Sequence, residues 1–219
     1  MNTHSPQAVR SAAGWHGKLP TLGDFATRRL DSDFVNVWDN WISSGLAKLR
    51  TRGDGQWLEA YLGSPTWRFL LTPNFLPAPM QKQTWAGVVM PSVDRVGRYY
   101  PLTIAWELPR IPLDEHARSE LWSWFHRLED LAVDAMQEDW TIDAFEEELE
   151  RIGVPLLAAG TDHQVAAAMQ LDSFFGACGD SHAIDGKGRC VWYSESDLAA
   201  LRMMCSYSLD DSILGLWTV

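Results

Sequence analysis

The sequence predicts a single α/β domain, a three-layer sandwich in which a mixed, partly antiparallel sheet is flanked by helices. Short apolar runs typical of buried strands alternate with longer stretches in which apolar residues recur at the helical period. Two of the runs are joined by a loop of eight residues, so we expect them to be antiparallel neighbours. With 219 residues, 46% of them hydrophobic, the chain is long enough to bury one large core.

The first predicted elements are a strand over residues 15–19, a loop over 20–24 that contains Pro and Gly, and a helix from about Asp31. The helix is predicted because apolar residues recur near its period, with acidic residues at its start and basic residues near its end. Those apolar residues are Phe34, Trp38, Trp41, Leu46 and Leu49. A short second helix is predicted through residues 57–62.

Three apolar runs in the middle of the chain predict strands over residues 67–71, 85–90 and 99–108. Pro101 should lie near the start of the third strand, because proline cannot donate to a strand ladder. Residues 91–98 form the predicted hairpin loop between the last two strands.

The second half is predicted to be mainly helical, with two further strands. The helices cover residues 114–139, 141–152 and 161–175 and a stretch through Leu198, Leu201 and Met204, and the strands cover residues 189–193 and 213–219. In the longest helix one stripe is apolar, formed by Leu121, Phe125, Leu128, Leu131, Ala135 and Met136. We expect residues 1–11 to be a disordered tail and residues 12–219 to form the domain.

Composition excludes several classes of protein. A net charge of −11 argues against a general nucleic-acid-binding protein, which needs a basic surface. No apolar stretch approaches the roughly 18–20 residues needed to span a bilayer, and the N-terminus lacks the apolar core of a secretion signal. The three cysteines, Cys178, Cys190 and Cys205, form no CxxC pair, which argues against a disulfide framework or zinc site and predicts a cytoplasmic protein.

Charge is distributed unevenly along the chain. Residues 1–110 contain 12 basic and 8 acidic side chains, whereas residues 111–219 contain 6 basic and 21 acidic ones. Between Arg127 and Arg151 ten acidic residues occur with no Lys or Arg. This acidic run is either a solvated helix face or a docking surface for a basic partner, whose charge would mainly raise the association rate.

Tryptophan is unusually abundant, with twelve residues. One interpretation is a Trp-rich core, since each ring buries a large area. The other is an interaction surface, because Trp is enriched at interface hot spots. The two interpretations are compatible.

The motifs that suggest chemistry are weak. Residues 14–18 (GWHGK) lack the spacing and the Ser or Thr of a phosphate-binding loop. Residues 179–181 (GDS) suggest a hydrolase that uses Ser181, but the adjacent His182 is poorly placed as its base, and a polar turn before a strand explains the tripeptide better. Cys178, His182 and Cys190 match no zinc spacing. The sequence therefore predicts no cofactor, no metal and no catalytic residue.

Two loops combine turn-forming Gly and Pro with Asp and Arg. The first covers residues 17–25 and is followed by Arg28, and the second covers residues 91–102. Their arginines can pair with carboxylates inside the protein, for example Asp24 or Asp94 with Arg95 or Arg98, or with a partner's carboxylates. We therefore consider the loops either fixed by internal salt bridges or exposed for recognition.

At these loops the sequence resembles the TagF/ImpM family, accessory proteins of the bacterial type VI secretion system. The matching stretches, in order, are GKLPTLGDFATRRL (17–30), FVNVWDNWI (34–42), YLGSPTWRFLL (61–71) and WAGVVMPSVDRVGRYYPLTI (85–104). The resemblance implies a three-layer α/β domain in the cytoplasm that represses assembly of the secretion apparatus after translation. It also implies a forkhead-associated scaffold protein as the partner, and it offers no catalytic residue.

We therefore predict a non-enzymatic binding module that binds no nucleic acid and does not insert into membranes. The alternatives are a structural subunit of the secretion machine and a hydrolase that uses Ser181. The candidate partner-binding or loop-fixing residues are Asp24, Arg28, Arg68, Ser92, Asp94, Arg95 and Arg98.

Overall fold

A computed structural model describes residues 11–112, 114–155, 157, 188–195, 202–209 and 216–217. Its strands are β1 (Gly14–Gly17), β2 (Ala26–Arg28), β3 (Trp67–Leu71), β4 (Thr84–Met90), β5 (Leu102–Leu108), β6 (Cys190–Ser194) and β7 (Arg202–Ser206). They form one sheet in the order β2-β1-β5-β4-β3-β6-β7. All neighbouring pairs are antiparallel, so the described sheet is antiparallel throughout rather than mixed.

Helices cover both faces of this sheet. They are α1 (Ser32–Arg50), α2 (Asp54–Leu62), α3 (Glu115–Gln137) and α4 (Ile142–Ile152), with a short 3-10 helix at Met80–Lys82. One hydrophobic core lies between the sheet and α3 and α4, and a second lies between the sheet and α1 and α2. This confirms the predicted α/β class and its three layers.

Local chemistry explains where α3 and α4 begin and where α4 ends. The Asp114 carboxylate accepts a hydrogen bond from the Ala117 amide at 2.8 Å and caps α3. Thr141 caps α4 in the same way through the amide of Ala144 at 3.2 Å. Gly153, with a φ of 68°, ends α4 in a conformation that favours glycine.

Tryptophan belongs mainly to the cores. Nine of the twelve side chains are buried and the other three are partly buried. Trp38, for example, packs its ring on Phe34 with centroids 5.3 Å apart and donates its indole N–H to the Thr103 hydroxyl at 2.9 Å. The core interpretation of the Trp excess therefore accounts for most of these residues.

The structure corrects the sequence prediction near the C-terminus. Met204 lies in strand β7 rather than in a helix, and partly buried and exposed side chains alternate there with the period of a strand. Leu216 is helical and Trp217 lies in a turn, so the predicted last strand is wrong at these positions. Strand β2 was not predicted. Some predictions lie outside the described residues. They are the helix over residues 161–175, the positions of Leu198 and Leu201, and residues 1–10 of the predicted tail.

In the part of the chain that the structure describes, no helix combines the length and apolarity needed to cross a bilayer.

Candidate functional site

The sheet brings the two loops together at one of its ends. The first loop, residues 18–25, joins β1 to β2, and the second loop, residues 91–101, joins β4 to β5. In the register, His16 faces Thr103 and Met90 faces Leu102, so both loops leave the sheet at the same end. A Cβ at Gly17 would lie 2.1 Å from the Pro101 carbonyl oxygen, so only glycine permits this close approach.

Hydrogen bonds join the two loops directly. The Arg95 amide donates to the Leu22 carbonyl at 2.9 Å, and the Ser92 hydroxyl donates to the Lys18 carbonyl at 2.6 Å. The buried Tyr61 hydroxyl donates to the Ser92 carbonyl and accepts from the Ser92 amide, both at 2.8 Å. The loops and these contacts define what we call the two-loop surface.

Asp94 is the central acceptor of the two-loop surface, and its side chain is fully buried. One carboxylate oxygen accepts from the Lys18 ammonium at 2.5 Å and from the Arg98 Nε at 2.7 Å. The other accepts from the amides of Val96 at 3.0 Å and Arg98 at 2.9 Å. Burial acts to raise the pKa of Asp94, but the bonds from Lys18 and Arg98 outweigh it and hold that pKa below its ordinary value.

Arg98 connects Asp94 to the first loop. Its guanidinium also donates to the Gly23 carbonyl and lies 4.0 Å from the Asp24 carboxylate. The Asp24 side chain is 81% exposed, so that second ion pair is largely screened by water. The Arg98 side chain is 54% exposed and presents part of its charge to solvent.

Aromatic side chains pack against one another at the end of the first loop. The Phe25 ring stacks on His16 with centroids 6.0 Å apart, and it meets Tyr100 edge-on at 4.7 Å. The Tyr100 hydroxyl donates to Asp39 of α1 at 2.6 Å. Burial lowers the pKa of His16 below its ordinary value, although Asp39 at 3.7 Å opposes this effect. We therefore expect a neutral imidazole here at neutral pH.

A cavity of about 430 Å³ lies between the two-loop surface and α1. Its lining consists of Lys18, Phe25, Ser43, Leu46, Ala47, Arg50, Arg98, Tyr99 and Tyr100. Both loops and the C-terminal half of α1 contribute to it.

The rim of the two-loop surface is exposed. Phe25 is 47% exposed and Val96 is 65% exposed. Arg95 is exposed, and its guanidinium makes no hydrogen bond or ion pair within the described part of the chain. Arg28 is exposed, and its guanidinium donates to the carbonyl of the neighbouring Thr27 at 2.9 Å.

Arg68 lies elsewhere, under α3. It is 1% exposed, and its Nε donates to the Glu129 carboxylate at 3.0 Å. Its Nη2 also lies 3.1 Å from the His126 Nδ1, and its guanidinium covers the Trp122 ring at 4.8 Å. Burial and the charge of Arg68 both lower the pKa of His126. Of the seven candidate residues, Arg68 is therefore placed in the core, whereas the other six belong to the two loops or to β2 beside them.

The acidic run divides into paired and solvated residues. Glu129 pairs with Arg68, Glu146 with Arg29, and Glu148 with Arg151. The exposed acidic residues are Asp130, Asp134, Glu138, Asp139, Asp143, Glu147 and Glu150. This exposure agrees with a solvated helix face, and docking of a basic partner there stays an open alternative.

Sequence reasoning missed the cavity and Lys18. Lys18 and Asp94 are 76 positions apart, and no spacing rule connects them. The sequence signal for Lys18 is its place in residues 14–18 (GWHGK), which lack the spacing of a phosphate-binding loop. Ser181, Cys178 and His182 lie outside the described residues, within which no group of three metal-binding side chains occurs.

Comparison with known proteins identifies a family and a similar solved structure. The model of the TagF N-terminal domain, described as type VI secretion system-associated, matches residues 14–152, a range that contains both loops and helices α1 to α4. No curated protein sequence matches the chain significantly. The crystal structure of PA0076 from Pseudomonas aeruginosa PAO1 is similar, with a TM-score of 0.70 and 30% identity over 94% of each chain.

Proposed function

The chain belongs to the type VI secretion-associated family defined by the TagF N-terminal domain, and from this membership we propose that it represses assembly of the secretion apparatus after translation. In this proposal it acts in the cytoplasm by binding another protein and catalyses no reaction. The partner is the forkhead-associated scaffold protein of the secretion system, which the family resemblance implies.

The observation that carries the proposal is the two-loop surface. Hydrogen bonds from Arg95, Ser92 and Arg98 hold the loops in one arrangement, so little conformational entropy is lost when a partner binds. The same surface exposes Phe25 and Val96, which offer apolar area for burial. A rigid surface with an exposed aromatic ring and an exposed arginine has the composition of an interface hot spot.

Capture of the scaffold protein by the full chain tests the proposal. The wild-type chain should bind the scaffold, and Arg95→Glu should weaken binding by about tenfold, because an exposed interface cation is replaced by an anion. Lys82→Glu is the matched control. Lys82 is exposed and precedes β4, so it lies at the opposite end of that strand from the second loop, roughly 20 Å away. It should bind like the wild type.

Secretion by the native bacterium supplies the second measurement. Deletion of the gene should increase type VI secretion, and a copy encoding Arg95→Glu should restore repression less well than one encoding Lys82→Glu. Failure of the wild-type chain to capture the scaffold, or unchanged secretion after deletion, contradicts the proposal.

A further inference from the structure

The cavity between α1 and the two-loop surface is lined by three cations. They are Lys18 and Arg98 from the two loops and Arg50 from the last turn of α1. Of the described residues, none that carries a carboxylate lines the cavity. The wall is therefore positive, although the whole chain carries a net charge of −11.

One buried carboxylate forms ion pairs with two of these cations. Asp94 accepts from both Lys18 and Arg98, and its remaining oxygen is occupied by two backbone amides. The three side chains together therefore carry one excess positive charge. Lys18 is only 2% exposed, so water screens this excess charge weakly and an anion in the cavity would be strongly attracted.

Arg50 provides the opposite wall. Its guanidinium lies over the Trp57 ring at 5.0 Å and makes no hydrogen bond or ion pair with another described residue. Its N–H groups are thus available for a carboxylate, which a guanidinium can bind through two parallel hydrogen bonds.

Two carboxylates lie near the cavity but outside its lining. Asp39 accepts the Tyr100 hydroxyl at 2.6 Å, and Asp24 is 81% exposed, 4.0 Å from Arg98. Both side chains have contact with solvent, so their repulsion on an anion inside the cavity is screened by water and salt.

The rest of the wall is apolar or aromatic, apart from Ser43. Phe25, Leu46 and Ala47 lie beside the cations, and the Lys18 ammonium lies 4.5 Å from the centre of the Phe25 ring. A bare inorganic anion would leave this apolar area uncovered. A peptide segment that carries a carboxylate together with an apolar neighbour would contact both kinds of wall.

We propose that this cavity binds a Glu or Asp side chain from an acidic segment of the protein partner, with Arg50 and the Lys18–Asp94–Arg98 group as the positive walls. The partner is the one in the proposed function, on which this inference rests. Charge complementarity is the argument for this occupant, because the cavity concentrates positive charge on an otherwise acidic protein.

A direct binding experiment uses the full chain and short poly-L-glutamate as the probe. Wild type should bind it saturably and shift the amide signals of Ala47 and Tyr99 in a ¹H–¹⁵N spectrum. Arg50→Glu should weaken binding by about tenfold or more. Lys48→Glu is the matched control, because it changes the same charge in the same exposed helix turn but does not line the cavity, and it should change affinity by less than about twofold.

Equal losses in Arg50→Glu and Lys48→Glu would overturn the inference, because they would indicate general charge attraction. It would also be overturned by no binding of poly-L-glutamate, or by shifts of the same signals with inorganic phosphate alone. Thermal unfolding of both variants verifies that they are folded. Capture of the forkhead-associated scaffold is measured separately, so a chain that binds poly-L-glutamate but not the scaffold contradicts the proposed function and leaves the cavity's chemistry supported.

Discussion

Asp94 and Arg68 are both buried charges, but the protein neutralises them differently. Asp94 receives four donors, three of them from the second loop itself and one from Lys18 of the first loop. Arg68 depends on side chains from distant elements, and its Nη1 has no hydrogen-bond partner among the residues that the structure describes. The Asp94 group borders a cavity, whereas the Arg68 group is enclosed between the sheet and α3.

This difference predicts which of the two buried charges is better suited to bind a ligand. Asp94 carries one negative charge and accepts from two cations, Lys18 and Arg98, so one positive charge is left to attract a ligand. A cation that is enclosed by Glu129 and the rings of Trp122 and Tyr193 has no exposed group to offer and holds two layers together. Substitutions in the two groups should therefore differ in how much stability they remove and in whether they also affect binding.

The largest expected effect comes from Glu129→Ala. It leaves the buried Arg68 without its main partner, and breaking a buried pair in this way costs several kcal/mol. We expect a loss of about 3 kcal/mol in the free energy of unfolding, at the lower end of the range for such changes because Glu195 lies 3.6 Å from Arg68. Urea unfolding at neutral pH measures it.

The double variant Arg68→Met with Glu129→Leu is the control for this explanation. It removes both charges and should recover more than half of the loss, since apolar residues of similar volume replace buried pairs well. If the single variant loses less than about 1 kcal/mol, Arg68 is not held in the way described.

Lys18→Met should have a smaller effect. Asp94 keeps Arg98 and two backbone amides, so no buried charge is left alone. We expect a loss of about 1.5–2 kcal/mol in the free energy of unfolding, the lower part of the range for one hydrogen bond to a charged group. Hydrogen exchange should accelerate mainly in residues 18–25, and an increase spread evenly over both cores would contradict a local role.

The fold was largely predictable because its elements follow local periodicity. The stripe of α1 and the apolar runs of β3 and β4 carry their own signal, and the structure has all three. Strand β2 has only three residues, partly buried or exposed, so it has no hydrophobic pattern to detect. Strand β7 alternates weakly, and its Met204, together with Leu198 and Leu201 before the strand, has a spacing that imitates a helix.

The candidate site was predictable only in part. The Gly, Pro, Asp and Arg content of the loops identified both of them, because turns and ion pairs need those residue types. The pairing of acidic with basic side chains depends on the register of the sheet, and no local sequence pattern determines that register. Lys18 and Arg50 were therefore missed, and Arg68, chosen for its motif, lies in the core.

Asp94 should also make the stability of the protein depend on pH, with a smaller effect than the substitutions at Glu129 and Lys18. The folded pKa of Asp94 lies below its unfolded value of about 3.9. The carboxylate therefore stabilises the fold above about pH 4, and this contribution is lost as pH falls below that value. Urea midpoints of wild type and Asp94→Asn should converge between about pH 4 and pH 2. A constant difference across this window would contradict the depressed pKa.

Val96→Ser should have the smallest effect on stability and still affect binding. The side chain is 65% exposed, so the free energy of unfolding should stay within about 0.5 kcal/mol of wild type. If the partner covers the two-loop surface, loss of this apolar group should weaken scaffold binding by about threefold to tenfold. A loss of stability above about 1 kcal/mol would instead mean that Val96 packs within the protein, and the rim could then not be the free apolar surface that the proposed function requires.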